Sequence, residues 1–337
     1  MWLADNWKDY EVLDASGGEK LERWGKYLLI RPDPQVIWDT PKTHRGWVKP
    51  NAHYHRSDRG GGSWEFFDLP EQWEVSYVLA GAPPTLPLPH HPHPAPEPHP
   101  PRAFVRLTFR LKPFSFKHTG LFPEQAANWE WIYEKIAAAK SAHPDVPVRI
   151  LNLFAYTGGA TLAAAAAGAT VTHVDASKGM VGWAKENAKA SGLADAPIRY
   201  LVDDCVKFVE REARRGNTYD GIIMDPPSYG RGPKGEVWKM EASIHGFIRA
   251  CVNLLSPRPL FFLISSYTTG LAPGVLGYLL GAQLSPHFGN DGQNRGSLPG
   301  AGPSPPFGGT VRSGELGLPV TASGLVLPCG ASGRWEI

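Results

Sequence analysis

The chain has 337 residues, 42% hydrophobic and 20% charged, with 34 Lys+Arg against 32 Asp+Glu and a formal net charge of +2. Such a composition excludes a disordered or fibrous chain and leaves room for one large domain or two ordinary ones. Near neutrality also means that any contact with nucleic acid has to come from a local patch.

Residues 1–116 read as a β-rich N-terminal domain. Short apolar stretches such as Tyr27-Leu28-Leu29-Ile30 and Trp73-Glu74-Val75-Ser76-Tyr77-Val78 alternate with Gly, Pro and Asp turns. Tryptophans recur here (Trp24, Trp38, Trp47, Trp64, Trp73), and core filling explains them better than base stacking. Residues 81–102 are a Pro/His-rich run expected to form an extended loop.

Phe104 to Leu111 alternates like a strand, and a helix with Pro123 in its first turn follows. Strand and helix signals then alternate. Strands are expected at Val148–Phe154, Thr170–Val174, Ile198–Val202, Tyr219–Met224 and Leu260–Ile264. Helices are expected at Ala160–Ala167, Lys178–Ser191, Cys205–Arg215 and Glu241–Leu255. That alternation predicts an α/β fold with a doubly wound parallel sheet and right-handed crossovers. Residues 285–309 are Gly, Pro, Ser and Asn with little periodicity and read as an irregular insertion. Two short strands, 315–318 and 324–327, would close the chain as a hairpin at one sheet edge.

Three cysteines, Cys205, Cys251 and Cys329, are odd in number and lack a CxxC pair. No disulfide framework and no metal are expected, and a reducing cytoplasm fits. No apolar run reaches a membrane span, and the start Met1-Trp2-Leu3-Ala4-Asp5 lacks the order of a signal peptide, so no membrane contact is expected.

Candidate chemistry lies at the strand ends, where parallel α/β sheets bind their ligands. The first strand of the sheet runs into Asn152-Leu153-Phe154-Ala155-Tyr156-Thr157-Gly158-Gly159. Gly158 and Gly159 allow a tight turn and close backbone approach to a ligand. Asp175 ends the second strand, about twenty residues past that turn, where an acid can hold ribose hydroxyls. Asp203 and Asp204 end the third strand, where an adenine amine would lie. The competing reading has the glycines merely closing a turn while Asp175 and Asp204 cap helices.

Asp225-Pro226-Pro227-Ser228-Tyr229 ends the fourth strand. The prolines stiffen the backbone and remove two donors, leaving an acid, free carbonyls and a ring able to hold a flat, amine-bearing group. The dinucleotide fingerprint G-x-G-x-x-G and the P-loop are both missing. Three acids at successive strand ends suit an adenosine ligand that carries a cation and disfavour a pyrophosphate.

With Lys117-His118-Thr119-Gly120-Leu121-Phe122-Pro123-Glu124-Gln125, these motifs together resemble a class I S-adenosylmethionine-dependent methyltransferase. The resemblance is to the bacterial 23S rRNA enzymes of the cytosine-5 and guanine-7 type. It implies a Rossmann-like domain over residues 117–337 and S-adenosyl-L-methionine as cofactor. It further implies that Lys117, Phe122 and Gln125 close over that cofactor, while Tyr156, Thr157, Gly158 and Gly159 line its methionine part. Asn152 and Phe154 before the turn would complete that wall. Asp175, with Ala176 and Ser177, would hold the ribose, and Asp204, beside Asp203, the adenine amine. Asp225, Pro226, Pro227 and Tyr229 would face the acceptor, an RNA base, most simply of ribosomal RNA.

Cytosine-5 chemistry needs a thiol nucleophile. The corresponding stretch here is Leu263-Ile264-Ser265-Ser266-Tyr267, with serines instead, so a nitrogen acceptor is expected. Arg211, Arg214, Arg215, Arg231, Lys234 and Lys239 could form a phosphate-facing rim or an ordinary solvated face. Methylation of a small molecule or protein, and an NAD-dependent oxidoreductase on the same sheet, remain the alternatives. Oligomeric state is not legible.

Overall fold

A computed structural model describes residues 1–57, 61–79, 105–114, 117–231, 237–284 and 308–337. The expectations for 81–102, for nearly all of 285–309, and for Lys234 therefore lie outside the described residues.

Along the chain come β1 (Trp2–Leu3), β2 (Tyr10–Ser16), β3 (Glu19–Trp24), β4 (Tyr27–Pro32), β5 (Ala52–Arg56), β6 (Gly62–Phe66), β7 (Trp73–Leu79) and β8 (Val105–Leu111). These are followed by α1 (Ala126–Ala142), β9 (Arg149–Leu153), α2 (Gly159–Ala166), β10 (Thr170–Asp175), α3 (Lys178–Ala190), β11 (Ile198–Val202), α4 (Cys205–Arg215) and β12 (Gly221–Met224). Last are β13 (Tyr229–Arg231), β14 (Val237–Lys239), α5 (Met240–Val252), β15 (Phe261–Ser266), α6 (Pro273–Leu284), β16 (Thr310–Pro319) and β17 (Val326–Glu336).

The large sheet has the order β1-β16-β17-β15-β12-β9-β10-β11. The five strands from β15 to the β11 edge run parallel, with β9 beside both β10 and β12. Strand order therefore reverses between β9 and β12, and a crevice opens there at the carboxyl ends. The residues explain the layering: β12 and β15 are buried along their whole length, as strands covered by helices on both faces must be.

At the far edge β17 pairs antiparallel with β15 and with β16. The expected short hairpin is thus two strands of 10 and 11 residues, and β1 adds a parallel strand outside β16. Glycine hid them. Gly330 lies against Tyr267, whose ring would stand 2.8 Å from an added Cβ, and Gly333 is packed against α6 and β15. Such glycines lower strand propensity, yet close packing requires them.

The N-terminal strands form a five-stranded sheet, β2-β3-β4-β5-β6, and a separate β7-β8 pair. Trp24 and Trp73 are buried as expected of core residues, while Trp38 is 37% exposed. Strand β8 docks on α3: Trp183 Nε1 donates to Arg110 O at 2.8 Å, and Arg110 N donates to Asn187 Oδ1 at 2.9 Å. One apolar cluster joins Trp7, Tyr10, Tyr77 and Phe109 to Trp129 of α1 and Leu316 of β16.

Candidate active site

The turn after β9 is the most strained backbone near the crevice. Phe154 and Tyr156 have φ of 53° and 49°, a region costing non-glycine residues on the order of 1–3 kcal/mol each. Gly158, at φ 91°, supplies the reversal that starts α2. A Cβ on Gly159 would meet the Trp129 indole at 2.6 Å, so both glycines answer to sterics.

Hydrogen bonds hold this strain in place. Asp175 Oδ2 accepts from Tyr156 N at 2.9 Å, and its Oδ1 accepts from Ser177 N at 2.8 Å. Burial pushes the Asp175 carboxyl upward against those two bonds. Thr157 Oγ1 donates to Gly120 O at 2.6 Å, and Asn187 Nδ2 donates to Thr157 O at 2.9 Å. Beneath the turn, Asn152 Nδ2 donates to Thr161 Oγ1, which lies 2.9 Å from His173 Nδ1.

A cavity of about 60 Å³ opens beside the turn at the reversal of strand order. Phe122, Gln125, Asn152, Phe154, Tyr156, Thr157, Gly159 and Asp225 line it. So do Asn128, Ser265 and Trp129, which sequence reasoning did not assign. That volume holds only a few water molecules. Asp175, Asp203 and Asp204 stand outside it at their strand ends, half-buried.

Asp204 caps α4, its Oδ1 accepting from Lys207 N at 2.9 Å, which is the capping role weighed against ligand binding. Helix α3 is capped by Ser177 rather than by Asp175. Asp203 pairs with Arg211, and Arg215 with Glu212, so two cations of the imagined rim are occupied by neighbouring acids. Lys117 does not line the cavity. Its Nζ donates to Pro32 O at 2.8 Å, and burial lowers its ammonium to about 8.

The shelf after β12 is more enclosed than its sequence suggests. Asp225 borders the cavity and Pro226 is buried, whereas Pro227 is exposed. The Pro227 carbonyl is not free: Trp238 Nε1 donates to it at 2.6 Å. Trp238 packs between Phe154 and Phe247 at ring distances of 5.5 and 5.6 Å, so the β13–β14 hairpin ties the shelf to the turn. Tyr229, 50% exposed on β13, lies outside the cavity lining. Burial, with the Glu124 carboxylate adding repulsion, pushes the Asp225 carboxyl up to about 7.

Glu124 and Tyr267 form the other missed group. Gln125 Nε2 donates to Tyr267 Oη at 2.9 Å, and Tyr267 Oη also engages the buried Glu124. Asn128 Nδ2 reaches Gln125 Oε1 at 2.8 Å, while Arg334 donates to Asn128 Oδ1 at 2.7 Å. The three-residue spacing of Gln125 and Asn128 puts both on one helix face and was the available signal. Nothing local pointed to Trp238 or Tyr267.

The thiols are not poised for attack. Cys205 and Cys251 are buried and burial raises both, with Cys205 Sγ accepting from Phe154 N at 3.3 Å.

These residues fit an adenosyl sulfonium. Carboxylates at the strand ends have the chemistry to accept hydroxyl and amine hydrogens and to complement a cation. Tyr156 Oη is buried beside the cavity with no hydrogen-bond partner.

Comparison with known proteins agrees. The profile of the S-adenosylmethionine-dependent methyltransferases matches residues 103–262. The ribosomal RNA large subunit methyltransferase K/L of Shewanella frigidimarina is 31% identical over 152 residues, 44% of this chain and 20% of that protein. The chain thus spans about a fifth of the length of the curated relatives it matches. A Streptococcus mutans protein described as a SAM-dependent methyltransferase shares the fold, with TM-score 0.64 at 16% identity over 98% of this chain and 76% of its own. The crystal structure of the SAM-dependent methyltransferase from Agrobacterium tumefaciens superposes with TM-score 0.79 at 34% identity, covering 99% of this chain and 92% of that one. With that match over nearly the full length of both, this chain belongs to the S-adenosylmethionine-dependent methyltransferase family.

Proposed function

We propose that this methyltransferase acts on a nitrogen of an unpaired RNA base, with ribosomal RNA as the first substrate to test. The observation that carries the reading is that Asp225 of the proline shelf and the turn 154–159 border one cavity, at the reversal of strand order. Ribosomal RNA is suggested by the large subunit methyltransferases K/L that match part of this chain. The division into 1–116 and 117–337 is part of the same reading, with the second region holding the cofactor.

When bound, the cofactor supplies an electrophilic methyl on a sulfonium. Tyr156, Thr157, Gly158 and Gly159 line its methionine end, together with Asn152 and Phe154, and Phe122 and Gln125 border it. Asp175, Ala176 and Ser177 hold the ribose; Asp203 and Asp204 lie at the adenine. Asp225 and the Pro226 carbonyl accept hydrogen bonds from the acceptor amine and aim its lone pair along the line of displacement. As the new N–C bond forms and the methyl–sulfur bond breaks to leave a neutral thioether, the nitrogen sheds a proton, and Asp225, with a carboxyl near 7, is suited to take it. Tyr229 stacks on the base, a contact worth about 1–3 kcal/mol. Ser265 and Ser266 stand at the end of β15 where a thiol nucleophile would be expected, and the raised Cys205 and Cys251 argue against a carbon acceptor.

Radiolabelled methyl transfer tests the substrate directly. Label should enter large-subunit ribosomal RNA stripped of its modifications, and nuclease digestion should leave it on a base nitrogen. Label confined to a metabolite pool or to protein would move the acceptor out of RNA.

A further inference from the structure

We propose that Arg31 of β4 is a positioning residue for the cofactor: by way of the Lys117–Gly120 loop it latches the N-terminal sheet onto the turn after β9. The inference rests on the reading that Tyr156 to Gly159 line the methionine end.

Arg31 is 5% exposed, and its Nε and Nη2 fork onto Glu22 at 2.5 and 2.8 Å. Glu22, fully buried, also accepts from Tyr10 Oη at 2.7 Å and lies 3.5 Å from Lys20, which itself pairs with Asp33 at 3.2 Å. The direction of the guanidinium is therefore fixed by its own sheet. A structural ion pair needs only the two donors facing Glu22. The third, Nη1, leaves the sheet and donates to Lys117 O at 2.9 Å. Lys117 answers through Nζ to Pro32 O at 2.8 Å, so two hydrogen bonds cross between the same segments.

From Lys117 the loop reaches Gly120, at φ 94°, where a Cβ would come within 2.2 Å of the Trp183 ring. Its carbonyl accepts from Thr157 Oγ1, next to the strained Tyr156. The turn is thus held from two sides: by Asp175 within its own sheet, and by Gly120 on a loop fastened to Arg31. The Arg31 cation also acts on the Tyr156 phenol, opposing the burial that raises it. Strained backbone keeps its shape only while its surroundings over-determine it, so slackening one side should loosen the turn.

The test uses the full chain with Arg31→Lys, Lys117→Met and, as a control, Asp175→Ala. Arg31→Lys keeps a cation on Glu22 but cannot supply the fork and Nη1 together. Lys117→Met removes a charge that burial already disfavours, so its fold is at little risk if the arginine variant proves unstable. S-adenosylhomocysteine affinity is measured by calorimetry, and amide exchange is followed across residues 154–159. Each latch variant should weaken binding about tenfold and speed exchange in the turn, with the double variant little worse than either single one. Unchanged affinity and exchange in both latch variants, alongside lost binding in Asp175→Ala, would overturn the latch and leave the cofactor reading standing. Wild-type binding by Asp175→Ala would remove that reading, and the latch with it.

Discussion

The turn after β9 and the shelf after β12 face one cavity, yet they are made rigid in opposite ways. At the turn, Phe154 and Tyr156 hold unfavourable φ values, and Asp175, Gly120 and Asn187 are among the groups that keep them in place. At the shelf, the pyrrolidine rings of Pro226 and Pro227 fix φ covalently, and Trp238 adds one hydrogen bond. A turn held by distant partners transmits changes made far from it. A shelf held by its own rings should respond mainly to the chemistry of its side chains.

The sharpest break in that contrast is Asp225→Ala. Turnover should fall by at least about 10²-fold, while affinity for S-adenosylhomocysteine stays within severalfold; steady-state kinetics and calorimetry on the same preparation check both. Gly159→Ala should do the reverse. Its methyl has to displace the Trp129 indole, which costs about 1–3 kcal/mol, and the loss should show in the cofactor KM and the thermal midpoint.

Protonation of Asp225 separates the regions next. Accepting from an amine needs the carboxylate, so kcat/KM should climb tenfold for about each pH unit below 7 and level off above it. Glu124 shares the titration, and the apparent value belongs to the pair. Asp225→Asn should flatten the profile, and an unchanged slope would assign it elsewhere. The stability effect has the opposite sense. A carboxyl raised above its unfolded value favours the folded state at low pH, and that contribution is lost as pH rises through about 7.

Trp238→Phe should have the smallest effect. It removes one neutral hydrogen bond to the Pro227 carbonyl, about 1 kcal/mol, and keeps most of the ring packing. The acceptor KM should rise a fewfold with cofactor affinity unchanged; a comparable loss at the cofactor would show that the hairpin couples shelf and turn.

Much of the fold was legible because its signals are local. Buried parallel strands read as apolar runs, α4 ends at Gly216 with a left-handed φ, and acids and glycines sit at the strand ends where the topology needs them. The C-terminal strands were not legible in full length, because their glycines serve packing against Tyr267 and α6 rather than strand propensity. Asp225 and the Gly158–Gly159 turn stood out in the sequence because each follows an apolar strand, the first with two prolines and the second with two glycines. Trp238, Tyr267 and Arg31 could not, since each acts through a partner distant in sequence.

By itself the sequence determined the alternation of elements, hence the sheet, and which residue types stand at the strand ends. Periodicity and turn chemistry are properties of neighbours along the chain. Only the tertiary structure decided that Lys117 faces Pro32 rather than the cavity, that Asp204 caps a helix, and that the Pro227 carbonyl is occupied. Those outcomes depend on which groups meet across the fold, where each buried donor or acceptor takes the partner that packing brings within reach.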